Sequence, residues 1–154
     1  MSAIKKVQAY LDSLGTGLKI KELNTDTSTA ELAAQALGLE VGQIAKSLLF
    51  RSKIGYFMVV SAGDVRMDQK RLKELIGGKA RMASPEEVLE ITGYPVGGVC
   101  PFLMPNPIPL YLDDSLLRYD VVYAAAGTAN SALPIGYEQL MQITGGQPCS
   151  VSER

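Results

Sequence analysis

Residues 45–52, AKSLLFRS, and 56–61, YFMVVS, are two runs rich in apolar, β-branched and aromatic residues, separated only by KIG. A connection that short makes the two runs antiparallel neighbours, with glycine supplying the turn. A parallel neighbour would need a crossover of about a dozen residues or more. The hairpin therefore fits a mixed sheet better than a pure array of βαβ units. Helical patterns stand on both sides of it, so the expected fold is α/β of the α+β type: a mixed sheet flanked by helices. At 154 residues, with no internal repeat, low-complexity tract or linker, residues 1–154 are expected to form a single domain.

The flanking elements carry their own signals. Ile4, Val7, Leu11 and Leu14 mark one face of a first helix that ends near Gly15 and Gly17. LKIKEL (18–23) alternates like a half-buried strand, and in TSTAELAAQALG the pair Ser28 and Glu31 reads as a capping box, with Gly38 as the stop. Asp68 is placed to cap a helix running to Leu75 and Ile76 before Gly77 and Gly78. SPEEVLEITG has Ser84 at the N-cap, Pro85 at the first position, Glu87 closing a capping box and Gly93 at the stop. Short strands are expected near LYLDD and VVYAAAG, then a last helix, YEQLMQIT, stopped by Gly145 and Gly146.

Composition narrows the chemistry. There is no histidine, which removes Ser-His-Asp and Cys-His catalysis in their usual forms, together with His-rich metal sites. Cys100 and Cys149 are too few for a disulfide framework and point to a reducing cytoplasm. No apolar run approaches the roughly 18 residues of a membrane span, and the N-terminus lacks the apolar core of a secretion signal. Net charge is −1, yet residues 1–81 hold 13 Lys and Arg against 8 acids, whereas residues 82–154 hold 2 against 8. That asymmetry gives either a basic face able to meet phosphates or an ordinary solvated surface.

If 44–50 is extended, Ile44, Lys46, Leu48 and Phe50 share one face. A lysine in that company either snorkels to water or serves as a fixed cation for a phosphate, carbonyl or carboxylate. The stretch GYPVGGVCPF (93–102) concentrates glycine and proline, and its Gly97 and Gly98 would let backbone N–H groups approach a ligand or simply form a turn. Cys100 has no histidine to activate it, so it is a nucleophile only if a nearby cation lowers its pKa; otherwise it is a small buried hydrophobe. Asp113 and Asp114 suit acid-base work, a metal or a cap. Gly127 and Asn130, in AAAGTANSAL, form a pocket rim or a plain turn.

The ordered set TAELAAQALG, IAKSLLF, VVSAGD, EEVLEITGYPVGGVCPF, LDDSLL and AAAGTANSAL closely resembles the YbaK/prolyl-tRNA synthetase-associated domain family over roughly residues 25–145. The resemblance implies a largely antiparallel, barrel-like mixed sheet and a free-standing deacylase that hydrolyses the ester of mischarged tRNA. The expected tRNA is that for proline, carrying alanine, cysteine or serine. Its implied partners are the 3′ end of aminoacylated tRNA and an aminoacyl-tRNA synthetase, with no cofactor and no metal. The family lysine falls on Lys46, its GxxxP loop on Gly97 through Pro101, its aspartate on Asp113 and its late glycine on Gly127. Lys46, Gly97, Gly98 and Pro101 are thus the expected catalytic set. Val99, Cys100, Phe102, Asp113, Gly127 and Asn130 are expected around the substrate, and Arg66, Lys70, Arg71, Lys73, Lys79 and Arg81 against the tRNA backbone. One departure is Leu103, where many relatives have glycine, and it is expected to reshape the pocket. Two alternatives stay open: a non-catalytic module that binds an aminoacyl-tRNA end or a synthetase, and a thiol enzyme using Cys100.

Overall fold

The hairpin forms the centre of the sheet. In a computed structural model describing residues 2–153, β2 (Ile44–Ser52) and β3 (Gly55–Ala62) pair antiparallel from Ala45↔Ala62 to Ser52↔Gly55. Around them run β1 (Lys21–Glu22), β4 (Ala80–Met82), β5 (Leu110–Asp113), β6 (Val122–Ala124), β7 (Ser131–Ile135) and β8 (Gln147–Cys149). The order is β1-β7-β6-β2-β3-β5-β8, with β4 lying beside β2. Pairs β1–β7, β6–β7, β2–β3 and β2–β4 are antiparallel, whereas β2–β6, β3–β5 and β5–β8 are parallel. The sheet is mixed, as expected from a hairpin between helical patterns.

Five α-helices are described: α1 (Ala3–Ser13), α2 (Ala30–Leu37), α3 (Gln69–Ile76), α4 (Pro85–Thr92) and α5 (Tyr137–Thr144). Asp68 caps α3 by accepting from the N–H groups of Lys70 and Arg71, and Ser84 and Glu87 close the capping box of α4. At α2 the cap lies one residue later than the sequence suggests. Thr29 accepts from Leu32 N–H at 3.1 Å, while Ser28 is taken up by Asp26.

The main core joins Val7 and Leu11 of α1 to Met58, Val60, Leu112, Leu133, Ile135 and Leu140. A second cluster packs Phe50, Phe57, Val59 and Val151 against Leu72 of α3. A third sets the alanines of α2 on Ile44. Only two residues of the expected strand 18–23 pair with the sheet. The side chain of Gln8 explains this, because it accepts from Ile20 N–H and donates to Leu18 carbonyl, both at 2.8 Å, in place of a strand neighbour.

Candidate active site

β2 has different neighbours at the two ends of its second edge. β6 runs beside Ile44 and Ala45, and β4 beside Phe50 through Ser52. The intervening segment, 46–49, has no strand on that side. A cleft of about 480 Å³ opens at this gap, bounded by Ala83 after β4, Ala125 after β6, the alanine face of α2 and the loop carrying Gly97 and Val99.

Lys46 lies in the cleft wall, half-buried, and its ammonium donates to the carbonyl of Val65 at 3.3 Å. That bond uses one of its three donors and leaves two for a ligand. Asp64 is close by; its carboxyl is held low foremost by a hydrogen bond from Arg118, with Lys46 adding a weaker attraction. Ala30, Ala33 and Leu37 of α2 give the remaining wall an apolar stretch, with Thr27, Ser28, Thr29 and Glu31 as its polar part. The lysine is thus a cation in a mixed but mainly hydrocarbon recess.

The glycine loop meets the cleft from the other side. Gly97 has φ +92°, and a Cβ there would stand 2.8 Å from Cβ of Ser28, so the loop fits against the lead-in to α2 only as glycine. Gly98 faces away from the cleft. Its N–H donates to Pro95 carbonyl and its carbonyl accepts from Gly127 N–H, both at 2.9 Å. A Cβ on Gly98 would lie 2.9 Å from the Gly127 carbonyl oxygen. The GxxxP loop and the late glycine turn, 29 residues apart in the chain, are therefore locked backbone to backbone. Among the described residues no group accepts from the N–H of Gly97 or Val99.

Several expected site residues belong to the framework instead. Cys100 is fully buried, its Sγ directed at Phe102 carbonyl, and burial pushes the thiol up to about 11. It is outside the cleft lining and is a core side chain, which removes the thiol-enzyme alternative. Phe102 and Pro101 are buried with it. Asp113 is also fully buried: one oxygen accepts from Ser115 N–H at 3.1 Å and the other from Val151 N–H at 2.7 Å. Both oxygens are spent on the fold, so the cap reading holds and the substrate reading is corrected. Gly127 supports Gly98, and Asn130 ties its turn to the chain near Leu23, donating to that carbonyl at 3.2 Å. Among the proposed phosphate contacts, Arg71 pairs with Asp68 and Arg81 with Glu87.

Leu103 lies outside the cleft and is 46% exposed. Its φ of +53° puts the backbone in the left-handed region, which glycine adopts without steric cost and leucine does not. The expected change in pocket shape is not what the residue brings; local strain is. Leu103→Gly should raise Tm by roughly 1–4 °C, since about 1–2 kcal/mol of strain is relieved against a smaller gain in unfolded-chain entropy. Thermal melts of the two proteins check it.

Residues 24–143 match the model of the aminoacyl-tRNA editing domain. The chain belongs to that family. YwhH of Bacillus subtilis (strain 168), an uncharacterized protein, is 38% identical to this editing domain over 143 residues, covering 92% of this chain and 91% of its own. EbsC of Enterococcus faecalis, named "Putative Cys-tRNA(Pro)/Cys-tRNA(Cys) deacylase", is 29% identical over 131 residues, covering 84% and 80%. A crystal structure described as "a putative trans-editing enzyme for prolyl tRNA synthetase" superposes with TM-score 0.92 and 41% identity, covering 100% of the editing domain and 99% of that chain.

Sequence reasoning missed the remaining wall of this cleft. Ser47, Ala83 and Ala125 line the cleft, but β4, whose end places Ala83, is three residues long. No periodic pattern marks so short a strand.

Proposed function

We propose that the protein is a free-standing deacylase that hydrolyses the ester of tRNA for proline carrying a small wrong amino acid. One observation carries the reading: Lys46 and the Gly97–Val99 loop border one cleft across a gap in the sheet. In this reading Lys46 anchors the polar end of the substrate, the phosphate or carbonyl next to the acylated ribose. The unpaired N–H groups of Gly97 and Val99 face developing negative charge. Water is the nucleophile. The free hydroxyl of the terminal ribose helps to orient and activate it, which suits a chain without histidine. Fixing the ester beside that water lowers the barrier by several kcal/mol through positioning, within the roughly 7–11 kcal/mol that ideal alignment supplies.

Selectivity follows from size. A synthetase gains only about 1–3 kcal/mol from one methylene, so a second, smaller recess that admits the wrong residue completes a double sieve. Ala30 and Ala33 of α2, with Ile44 and Val88, bound that recess.

The test is a panel of tRNA for proline charged with alanine, cysteine, serine or proline. At least one small aminoacyl ester should be lost much faster than in buffer, with the prolyl ester spared. Uniform stability of all four esters in the presence of folded protein overturns the deacylase reading, and tight binding without turnover replaces it with a binding module.

A further inference from the structure

The open segment of β2 has a direction. Ser52↔Gly55 closes the hairpin with two residues between them, which makes it a hydrogen-bonded pair, and bonded pairs then alternate along the strand. Lys46, Leu48 and Phe50 therefore bond to β3, while Ala45, Ser47 and Leu49 turn their N–H and C=O to the other edge. Three further bonds agree. Leu49 carbonyl accepts from Ala83 N–H at 3.0 Å, on the β4 side. Across the hairpin, the N–H groups of Met58 and Ala62 point away from β2, to Pro109 carbonyl and Ser115 Oγ.

Ala45 has β6 as its neighbour and Leu49 has Ala83. Ser47, between them, has neither. Among the described residues nothing bonds its N–H or carbonyl on that edge, and its buried hydroxyl also lacks a partner. One residue in the cleft wall thus carries three polar groups without a protein partner, and its hydroxyl is buried, where folded proteins satisfy about nine in ten or more of such groups.

An α-aminoacyl ester carries an ammonium donor and a carbonyl acceptor on either side of one carbon. That is the donor-acceptor pattern of a single residue opposite Ser47 in a bonded antiparallel pair. We infer that the unpaired edge of β2 reads the aminoacyl group as a one-residue strand: Ser47 N–H donates to the ester carbonyl, and Ser47 C=O accepts from the α-ammonium. This assignment rests on the deacylase reading and adds a substrate requirement to it, an α-amino group on the acyl part. Because the contacts come from main chain, they are the same for any small side chain. Lys46, next in sequence, is left to hold the other end of the ester.

Ser47→Pro tests it. Proline is tolerated on a strand where its nitrogen faces an unpaired edge, so the β2–β3 ladder is kept while the donor disappears. Folded Ser47→Pro should hydrolyse alanyl-tRNA about 100-fold more slowly, the usual effect of losing one donor to a developing oxyanion. The wild type should favour alanyl-tRNA over the lactyl ester, which replaces ammonium by hydroxyl, by about tenfold or more once each rate is divided by its spontaneous rate. A folded Ser47→Pro protein within threefold of wild type overturns the assignment, as does equal normalised turnover of the two esters. Should Ser47→Pro not fold, amide spectra of the wild type titrated with alanine in amide linkage to the 3′-amino group of adenosine decide. The Ser47 N–H must shift among the most, and an unmoved resonance at saturation refutes the inference. That titration reads binding alone, so it separates failure of this assignment from failure of the deacylase reading.

Discussion

Alanine in place of Lys46 is expected to lower single-turnover deacylation by about 100-fold or more and to leave Tm within a few degrees of wild type. The two halves of this result have separate causes. In the fold, the ammonium makes one hydrogen bond, to Val65 carbonyl at 3.3 Å, and a half-buried bond of that kind contributes about 1 kcal/mol. The strand bonds of residue 46 are main-chain and survive. In the cleft, Lys46 is the one lysine or arginine among the lining residues, so no neighbour replaces its charge. Losing an aligned cation beside a developing charge costs about 3 kcal/mol or more, which is the stated rate loss. Lys46→Arg should recover little, because a planar fork on a longer arm does not reproduce a compact ammonium held over Val65. Rates on mischarged tRNA, with melts alongside, decide. Unchanged turnover by Lys46→Ala would remove the lysine from the mechanism.

Asp113→Asn should give the opposite profile: a large stability loss with turnover per folded molecule retained. Each oxygen of the buried carboxylate accepts from a different main-chain N–H, Ser115 on one side and Val151 on the other. An asparagine offers one carbonyl oxygen, so its amide nitrogen must face one of those donors. The expected loss is about 2–3 kcal/mol, or roughly 5–10 °C in Tm for a chain of this size. Acid should expose the same bonds. Burial alone would raise this carboxyl, but the hydrogen bonds from the N–H groups of Ser115 and Val151 outweigh it and the pKa is lowered. A group lowered on folding gives stability that is full above its unfolded value of about 3.9 and disappears as pH falls through the folded value. Wild type should therefore lose stability below about pH 4, and Asp113→Asn should lose less over that interval. Denaturant melts at pH 7 and pH 3 measure both. A proportionate loss of turnover in folded Asp113→Asn would return the residue to the substrate.

The residue pattern showed most of the fold, and it did so where the elements were long or well capped. The hairpin, the caps of α3 and α4 and the stop at Gly145 are all local chemistry. β7 and β8 went unseen because Pro134 and Pro148 lie inside them, and proline in a short run argues against a strand. The site was legible in part. Lys46 betrays itself by being charged at an apolar position, and Gly97 by its place in a proline-bounded loop. Gly98 and Gly127 look like ligand-binding glycines, but both are packing positions: a Cβ on Gly98 would strike the Gly127 carbonyl, and one on Gly127 would strike Ala3 and the Tyr94 ring. Asp113, Cys100 and Asn130 show the converse problem. A buried carboxylate that ties two segments and one that touches a ligand read alike in a string of letters, since the partner, Val151, is 38 residues away.

The end of β4 has a meaning beyond its three residues. Ala83 closes the last bond to β2, and from there the chain turns away into α4 through Ser84. Where that departure occurs sets how many links of the central strand stay bare. Related proteins could widen or narrow their intake by moving this exit point a residue or two, with the lysine and the glycine loop untouched. Preference for one acyl group over another would then depend on strand length as well as on pocket side chains.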